Sequence, residues 1–178
     1  MITKAQSLDN FIDKSLYEKN KGYYQRKMEF GRRGDFITSP GISKLFSEMI
    51  AIWVVSFWEN LNKPEKINLV ELGAGNGELI EVLINTLNKL EIVKDKFKFF
   101  IFEKSVSLKK LQKKKFSKSV KWLDDFDKLP NFPTIFLANE FFDALPIKQF
   151  IKINEEWYEN FVLLNKSGKF SLEKKKVT

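Results

Sequence analysis

Glu71, Gly73, Gly75 and Gly77 stand at alternate positions in the run L-V-E-L-G-A-G-N-G-E-L-I, residues 69–80. Ile67, Leu69, Val70 and Leu72 form a short apolar run of the kind a buried parallel strand needs, with Pro64 fixing its approach. The glycines permit positive φ and let backbone approach a ligand where any Cβ would clash. A helix is expected to start near Gly77, because Leu79, Val82, Leu83, Leu87 and Leu90 recur on one helical face. Its first amides have no partner within the helix and are free for a ligand. A strand that runs through such glycines straight into a helix is a nucleotide-binding turn; the competing reading is an ordinary glycine-rich strand-to-helix turn.

The spacing narrows the ligand. A dinucleotide fingerprint wants G-x-G-x-x-G, whereas this turn is G-x-G-x-G and Glu78 holds the position of the last dinucleotide glycine. No Gly-Lys-Ser or Gly-Lys-Thr follows, which excludes a Walker-type phosphate loop. The acid two positions before the first glycine argues against a polyphosphate and suits a cationic ligand. S-adenosylmethionine (SAM) carries an ammonium and a sulfonium. The pattern E-x-G-x-G-x-G resembles motif I of class I SAM-dependent methyltransferases.

Further acids follow at strand ends. Residues 97–103 (F-K-F-F-I-F-E) read as a second strand whose final acid, Glu103, would grip ribose hydroxyls by analogy with the Rossmann arrangement; the alternative is a solvated strand end. Residues 119–122 make a weak third strand, and Trp122 with Asp124 or Asp125 would frame an adenine, a plain surface turn being equally open for the aspartates. The fourth strand, residues 134–138 (T-I-F-L-A), follows Pro130 and Pro133 and runs into N-E-F-F-D-A-L-P, residues 139–146. Two carboxylates, an amide and two aromatics thus gather where a methyl acceptor would sit.

The chain resembles the MidA-like methyltransferases, which include a mitochondrial complex I assembly factor that looks like a protein-arginine methyltransferase. Five segments carry the resemblance in the family's order: residues 15–24 (S-L-Y-E-K-N-K-G-Y-Y), 30–40 (F-G-R-R-G-D-F-I-T-S-P), 42–48 (I-S-K-L-F-S-E), the glycine turn, and 139–146. It implies that Gly34, Asp35, Phe36 and Thr38 lie in a loop over the cofactor. It further implies that Glu71, Gly73, Gly75 and Gly77 hold the methionine end of SAM, that Glu103 holds its ribose, and that Asn139, Glu140 and Asp143 line the methyl-transfer site. The chain departs from the family's usual pattern at Gly41, where an acid is common, and at Ser47, where a glycine is common.

The fold class so implied is α/β: a Rossmann-like class I methyltransferase sheet with a helical N-terminal extension, incomplete at the C-terminus. Residues 1–62 are read as the helical region with the cofactor-covering loop, 63–146 as the SAM-binding core, and 147–178 as a β-hairpin and basic tail. In the last segment, residues 148–153 and 157–164 form the hairpin about a turn at 154–156, followed by a short stretch around 166–172 and the lysines 174–176. Family members are roughly twice as long, so the expectation is a truncated frame, a piece of a split protein that lacks its C-terminal half, or a homo-oligomer that borrows a partner's strands.

The composition is that of a folded domain: 178 residues, 43% hydrophobic and 15% aromatic. There is no cysteine and no histidine, which excludes disulfides, cysteine nucleophiles, thiolate zinc sites and histidine bases, and no metal ligand set is expected. Methyl transfer requires none of these. The longest apolar stretch, within residues 49–58, is short of the roughly 18 to 20 residues that span a bilayer. It is read instead as a helix, with Ile42, Leu45, Phe46, Met49, Ile50, Trp53, Phe57, Trp58 and Leu61 at spacings of three and four, Ser39 and Pro40 at its start, and Trp53 and Trp58 in the core. The net charge is +8, but it is almost all lysine, with arginine only at positions 26, 32 and 33. The run K-K-L-Q-K-K-K-F-S-K, residues 109–118, is therefore read as a solvated helix face rather than a nucleic-acid surface. The N-terminus has no hydrophobic signal core, and Asp9 and Asp13 do not suit a transit peptide, so a bacterial cytoplasmic protein is expected, with a mitochondrial matrix protein as the alternative.

The function that follows is in-line transfer of the SAM methyl to a protein arginine, whose guanidinium Glu140 and Asp143 would hold by charge-assisted hydrogen bonds. By family resemblance the substrate would be a complex I subunit. For Glu140 the competing role is a helix-start acid facing the dipole of the next element. Two rival functions stay open: a nucleic-acid methyltransferase, since N-E-F-F loosely resembles the N-P-P-Y loop that grips a flipped base, and a non-catalytic assembly or binding protein on the same fold.

Overall fold

The computed structural model describes residues 5–25, 39–165 and 168–177. In chain order the elements are β1 (Gln6–Ser7), α1 (Leu8–Tyr17), α2 (Ser39–Ile42), α3 (Lys44–Asn60), β2 (Ile67–Leu72), α4 (Glu78–Leu87), β3 (Phe97–Phe102), α5 (Val106–Phe116), β4 (Lys121–Leu123), β5 (Thr134–Leu137), β6 (Phe150–Ile153), β7 (Glu156–Leu164) and β8 (Phe170–Lys176). Single 3-10 turns lie at Tyr23–Gln25, Phe126–Lys128 and Phe142–Ala144. The chain forms two compact units, one of Met1–Arg26 with Phe142–Thr178 and the other of Lys27–Phe141.

The second unit is built on a parallel sheet of order β4-β3-β2-β5. β2 to β3 and β3 to β4 cross over through α4 and α5, the strand–helix–strand connection of a parallel sheet, with the glycine turn between β2 and α4; β4 reaches β5 through the 3-10 turn Phe126–Lys128. β2 is buried from Ile67 to Glu71, and strand periodicity divides its side chains between two layers. Ile67 and Leu69 join the main core with Leu79, Ile80, Leu83 and Leu87 of α4 and Phe97, Phe99 and Ile101 of β3. Val70 faces the other way, onto Phe100 and Leu123. Asn68, fully buried, donates through its amide nitrogen to the Pro130 carbonyl at 2.9 Å and the Thr134 hydroxyl at 3.1 Å, which ties β2 to the start of β5. The parallel Rossmann-like class I fold expected from the sequence is present.

The helix over residues 42–61 forms, but not as its large residues predicted. Residues 39–42 make a separate turn of helix, and α3 begins at Lys44 behind Ser43. Its buried stripe is Ser47, Ala51, Val54 and Trp58, at spacings of four, three and four. Leu45, Met49, Trp53 and Phe57 lie on the opposite side, and Trp53 is 46% exposed, so its placement in the core is corrected. Small side chains at Ser47 and Ala51 let α3 approach α4 closely, and both stripes carry helical spacing, so counting large apolar residues selects the wrong one. Trp58 is core as expected, its indole N–H donating to the Pro64 carbonyl at 2.8 Å.

The first unit is an antiparallel sheet in which β7 pairs with β1, β6 and β8. The expected hairpin is β6 and β7. Its turn is the two-residue Asn154-Glu155, both in the left-handed region at φ 47° and 64°, the geometry that matches the twist of paired strands. Lys174, Lys175 and Lys176 belong to β8, paired with Asn160, Glu159 and Tyr158 of β7, so these lysines form a strand.

Candidate functional site

Register places the acids of the second unit. Glu71 pairs with Ile101 of β3 on one side and with Leu137 of β5 on the other. The period of two carries Glu71 to the layer of Ile67 and Leu69, and Glu103, two residues past Ile101, continues that layer at the carboxyl end of β3. β2 is flanked by β3 and β5, so strand order reverses beside it. That is the topological switch point at which open α/β sheets bind ligands. The glycine turn, Glu103, Asn139 and Glu140 all leave the sheet along this edge.

Gly73, Gly75 and Gly77 have φ of 67°, 55° and 79°. The turn is closed by the Gly73 amide donating to the Phe102 carbonyl at 2.8 Å and the Gly77 amide donating to the Ala74 carbonyl at 2.7 Å. A Cβ at Gly73 would stand 2.7 Å from the Phe141 ring, and one at Gly77 would stand 2.5 Å from the Phe116 ring. Glycine is thus required by both backbone and space.

Glu71 is 4% exposed, and its Oε2 has no hydrogen-bond partner among the described residues. Burial pushes its pKa up to about 8, with the like charge of Glu103 adding to the rise; the Ile80 amide in the first turn of α4 and the Lys115 charge pull the other way. Glu71 therefore holds its proton at neutral pH. Glu103 is 9% exposed; its Oε1 accepts from the Ser105 amide at 2.8 Å and its Oε2 from the Gln112 side chain at 3.2 Å. Burial raises its pKa too, against the lowering effect of those two bonds. Two buried carboxyls beside the glycine turn supply acceptors of the kind that a cation and hydroxyls would match.

Gln112 lies inside the lysine-rich run whose composition predicts a solvated face. The lysines there are mostly exposed, but Leu108, Gln112 and Phe116 form the buried stripe of α5 at a spacing of four. A polar residue on such a stripe was the available signal. Asp124 and Asp125 show surface-turn geometry: Asp124 pairs with Lys109 at 2.6 Å, and Asp125 accepts from the Asp127 amide at 3.0 Å. Asn139 is half-buried, and Glu140 is exposed with φ of 50°, a left-handed conformation uncommon outside glycine. Asp143 lies in the first unit, exposed in the 3-10 turn Phe142–Ala144, where the Tyr17 hydroxyl donates to the Ala144 carbonyl at 3.0 Å. Gly34, Asp35, Phe36 and Thr38 fall outside the described residues.

The Methyltransf_28 family of S-adenosyl-L-methionine-dependent methyltransferases matches residues 49–178. The chain belongs to this family. Among relatives of this family member, the mitochondrial protein arginine methyltransferase NDUFAF7 of Xenopus laevis is 30% identical over 88% of this chain and 41% of its own length. The NDUFAF7 homologues of Drosophila melanogaster and Caenorhabditis elegans are each 33% identical, over 84% and 98% of this chain and 39% and 46% of theirs. The chain spans less than half the length of these curated relatives. A crystal structure of a superfamily member from Burkholderia thailandensis, bound to S-adenosyl-homocysteine, superposes with a TM-score of 0.78 at 27% identity, covering 98% of this chain and 46% of that one. No described helix is long and apolar enough to cross a membrane.

Proposed function

We propose that this family member binds SAM at the carboxyl edge of its parallel sheet and serves methyl transfer to a protein arginine. The observation that carries the reading is Glu71: a buried carboxyl with an oxygen that has no partner among the described residues, beside a turn in which Gly73 and Gly77 leave no room for a Cβ. An ammonium is the ligand group that would complete such a carboxyl. In this reading Glu71 with Gly73, Gly75 and Gly77 holds the methionine end, Glu103 accepts from the ribose hydroxyls, and Gly34, Asp35, Phe36 and Thr38 cover the cofactor. When bound, SAM supplies an electrophilic methyl on a sulfonium. Asn139 and Glu140 orient the acceptor, with Glu140 first because it leaves the sheet at the edge shared with the glycine turn; family resemblance alone assigns Asp143 the same role. The names of the relatives support the arginine acceptor, and family resemblance points to a complex I subunit. The three-arginine, lysine-dominated charge supports a protein rather than a nucleic-acid substrate. We place the protein in the bacterial cytoplasm, with the mitochondrial matrix as the alternative; the named relatives are mitochondrial.

Calorimetric titration of SAM into the 178-residue chain tests the cofactor half. The expected dissociation constant is about ten micromolar, roughly −7 kcal/mol. In Gly75→Val, where a branched side chain meets a left-handed backbone at φ 55°, binding is expected to vanish while the fold remains. Absence of binding by the unaltered chain would overturn the assignment.

Transfer is tested with labelled SAM and two probes, an arginine-containing peptide and a single-stranded oligonucleotide. Label is expected in the peptide. Glu140→Gln should cut incorporation about a hundred-fold, the cost of removing one charge-placing group from a transfer site, and leave SAM affinity unchanged. Normal turnover by that variant would remove Glu140 from the chemistry.

A further inference from the structure

Gln112 is fully buried, on a helix whose other side is lysine-rich, and no part of its amide is idle. Its Nε2 donates to the Gly75 carbonyl at 2.8 Å and to Glu103 Oε2 at 3.2 Å. Its Oε1 accepts from the Trp122 indole N–H at 2.9 Å. One side chain on α5 therefore joins the central glycine of the turn after β2, the acid after β3 and the aromatic residue of β4. A buried glutamine that only filled space would leave a stretch of core better served by leucine or methionine, because an amide is costly to bury unless each polar atom is matched. Here all are matched, and every partner is a group at the carboxyl edge of the sheet.

We propose that Gln112 is a positioning residue of the cofactor site, which fixes the Glu103 carboxylate, the Gly75 carbonyl and the Trp122 indole in one arrangement before ligand arrives. The proposal deepens the SAM reading and rests on it for the identity of the ligand. Its physical basis is preorganisation. With Ser105 holding Oε1 and Gln112 holding Oε2, the carboxylate has one orientation and keeps further lone pairs for a pair of ribose hydroxyls. Without Gln112, Glu103 would rotate within its buried niche and ionise less readily. The other groups that bear on Glu103 are Lys109 of α5 and the Lys104 backbone, which favour its charge, and Glu71 of β2, whose carboxyl is electrostatically coupled to it.

Two variants of the full chain separate this from a packing role. Gln112→Met keeps the volume and removes both donor and acceptor. Gln112→Glu keeps the shape and the acceptor for Trp122 but, when ionised, cannot donate to Glu103 or Gly75. In the ligand-free chain, the carbon-detected carboxyl titration of Glu103 should move upward in pH in both variants. The Trp122 indole N–H resonance should move in Gln112→Met and hold in Gln112→Glu. An unchanged Glu103 titration in Gln112→Met would overturn the proposal, whatever SAM does; if Gln112→Met fails to fold, the titration in Gln112→Asn decides, because the new carboxyl of Gln112→Glu raises Glu103 by like charge alone. In the second arm, SAM affinity should fall about ten-fold in Gln112→Met, the loss of one hydrogen bond to a charged group. That loss should disappear in a Glu103→Gln background, because Gln112 acts through Glu103. An equal loss in both backgrounds would also overturn the proposal. Failure of the unaltered chain to bind SAM, with the Glu103 titration still moving, would overturn the cofactor reading and leave Gln112 as the organiser of this carboxylate.

Discussion

Glu71→Gln is expected to stabilise the chain and weaken SAM binding together. The folded-state pKa of Glu71 is about 8 against an ordinary 4.5, so below pH 4.5 both folded and unfolded chains carry the proton and the group contributes no penalty. Between pH 4.5 and 8 the unfolded chain ionises while the folded chain keeps its proton, and stability falls by about 1.4 kcal/mol per pH unit. The penalty reaches about 3 kcal/mol at pH 7 by that slope. Glutamine has no such titration, so the variant should match the native chain near pH 4 and exceed its stability by that amount at neutrality. Denaturant midpoints measured from pH 4 to 8 check this, and parallel pH profiles for the two chains would refute it. The functional side follows from the same group. A bound ammonium favours the ionised carboxyl, so SAM binding should release a proton from Glu71, visible as a binding enthalpy that changes with the ionisation enthalpy of the buffer. The variant should lose both the proton release and affinity. Stability given up at one buried carboxyl is the signature of a residue kept for its ligand.

Gly77→Val should destabilise the chain by about 4 kcal/mol, the sum of forcing a branched residue into the left-handed region and overpacking a filled core. Gly77 has φ of 79°, and an added Cβ would lie 2.5 Å from the Phe116 ring, which is itself buried in the main core. Thermal or urea unfolding measures the loss. Phe116→Leu in the Gly77→Val background should recover part of it, since the smaller side chain relieves the clash but not the backbone strain. Full recovery would show that φ costs nothing here, and a loss below about 1 kcal/mol would show that the turn is not held in this conformation.

Much of the site was legible because its signals are local. The alternate glycines, the apolar run before them and the helical spacing after them prescribe a strand, a turn and a helix within twenty residues, and α4 buries Leu79, Leu83 and Leu87 as that spacing requires. The hairpin was legible for the same reason, although its turn is tighter than read and the lysines after it form β8. Sequence pattern misleads where competing periodicities lie on one element. In α3 a stripe of large residues and a stripe of small ones share the helical repeat, and close approach to α4 selects the small one. In α5 a lysine majority hid the stripe of Leu108, Gln112 and Phe116.

The sequence alone determined the cofactor class to be sought and the parallel character of the sheet, because residue type and near-neighbour spacing limit which turns and which buried strands can form. The tertiary structure decided what those residues become. Parallel register sets Glu71 and Glu103 in one layer, and burial makes Glu71 hold its proton at neutral pH. Packing of α5 against the turn brings Gln112 to Gly75, Glu103 and Trp122, partners 37, 9 and 10 residues distant in the chain. Desolvation and hydrogen-bond matching depend on what surrounds a side chain in space, and no local pattern specifies that surrounding.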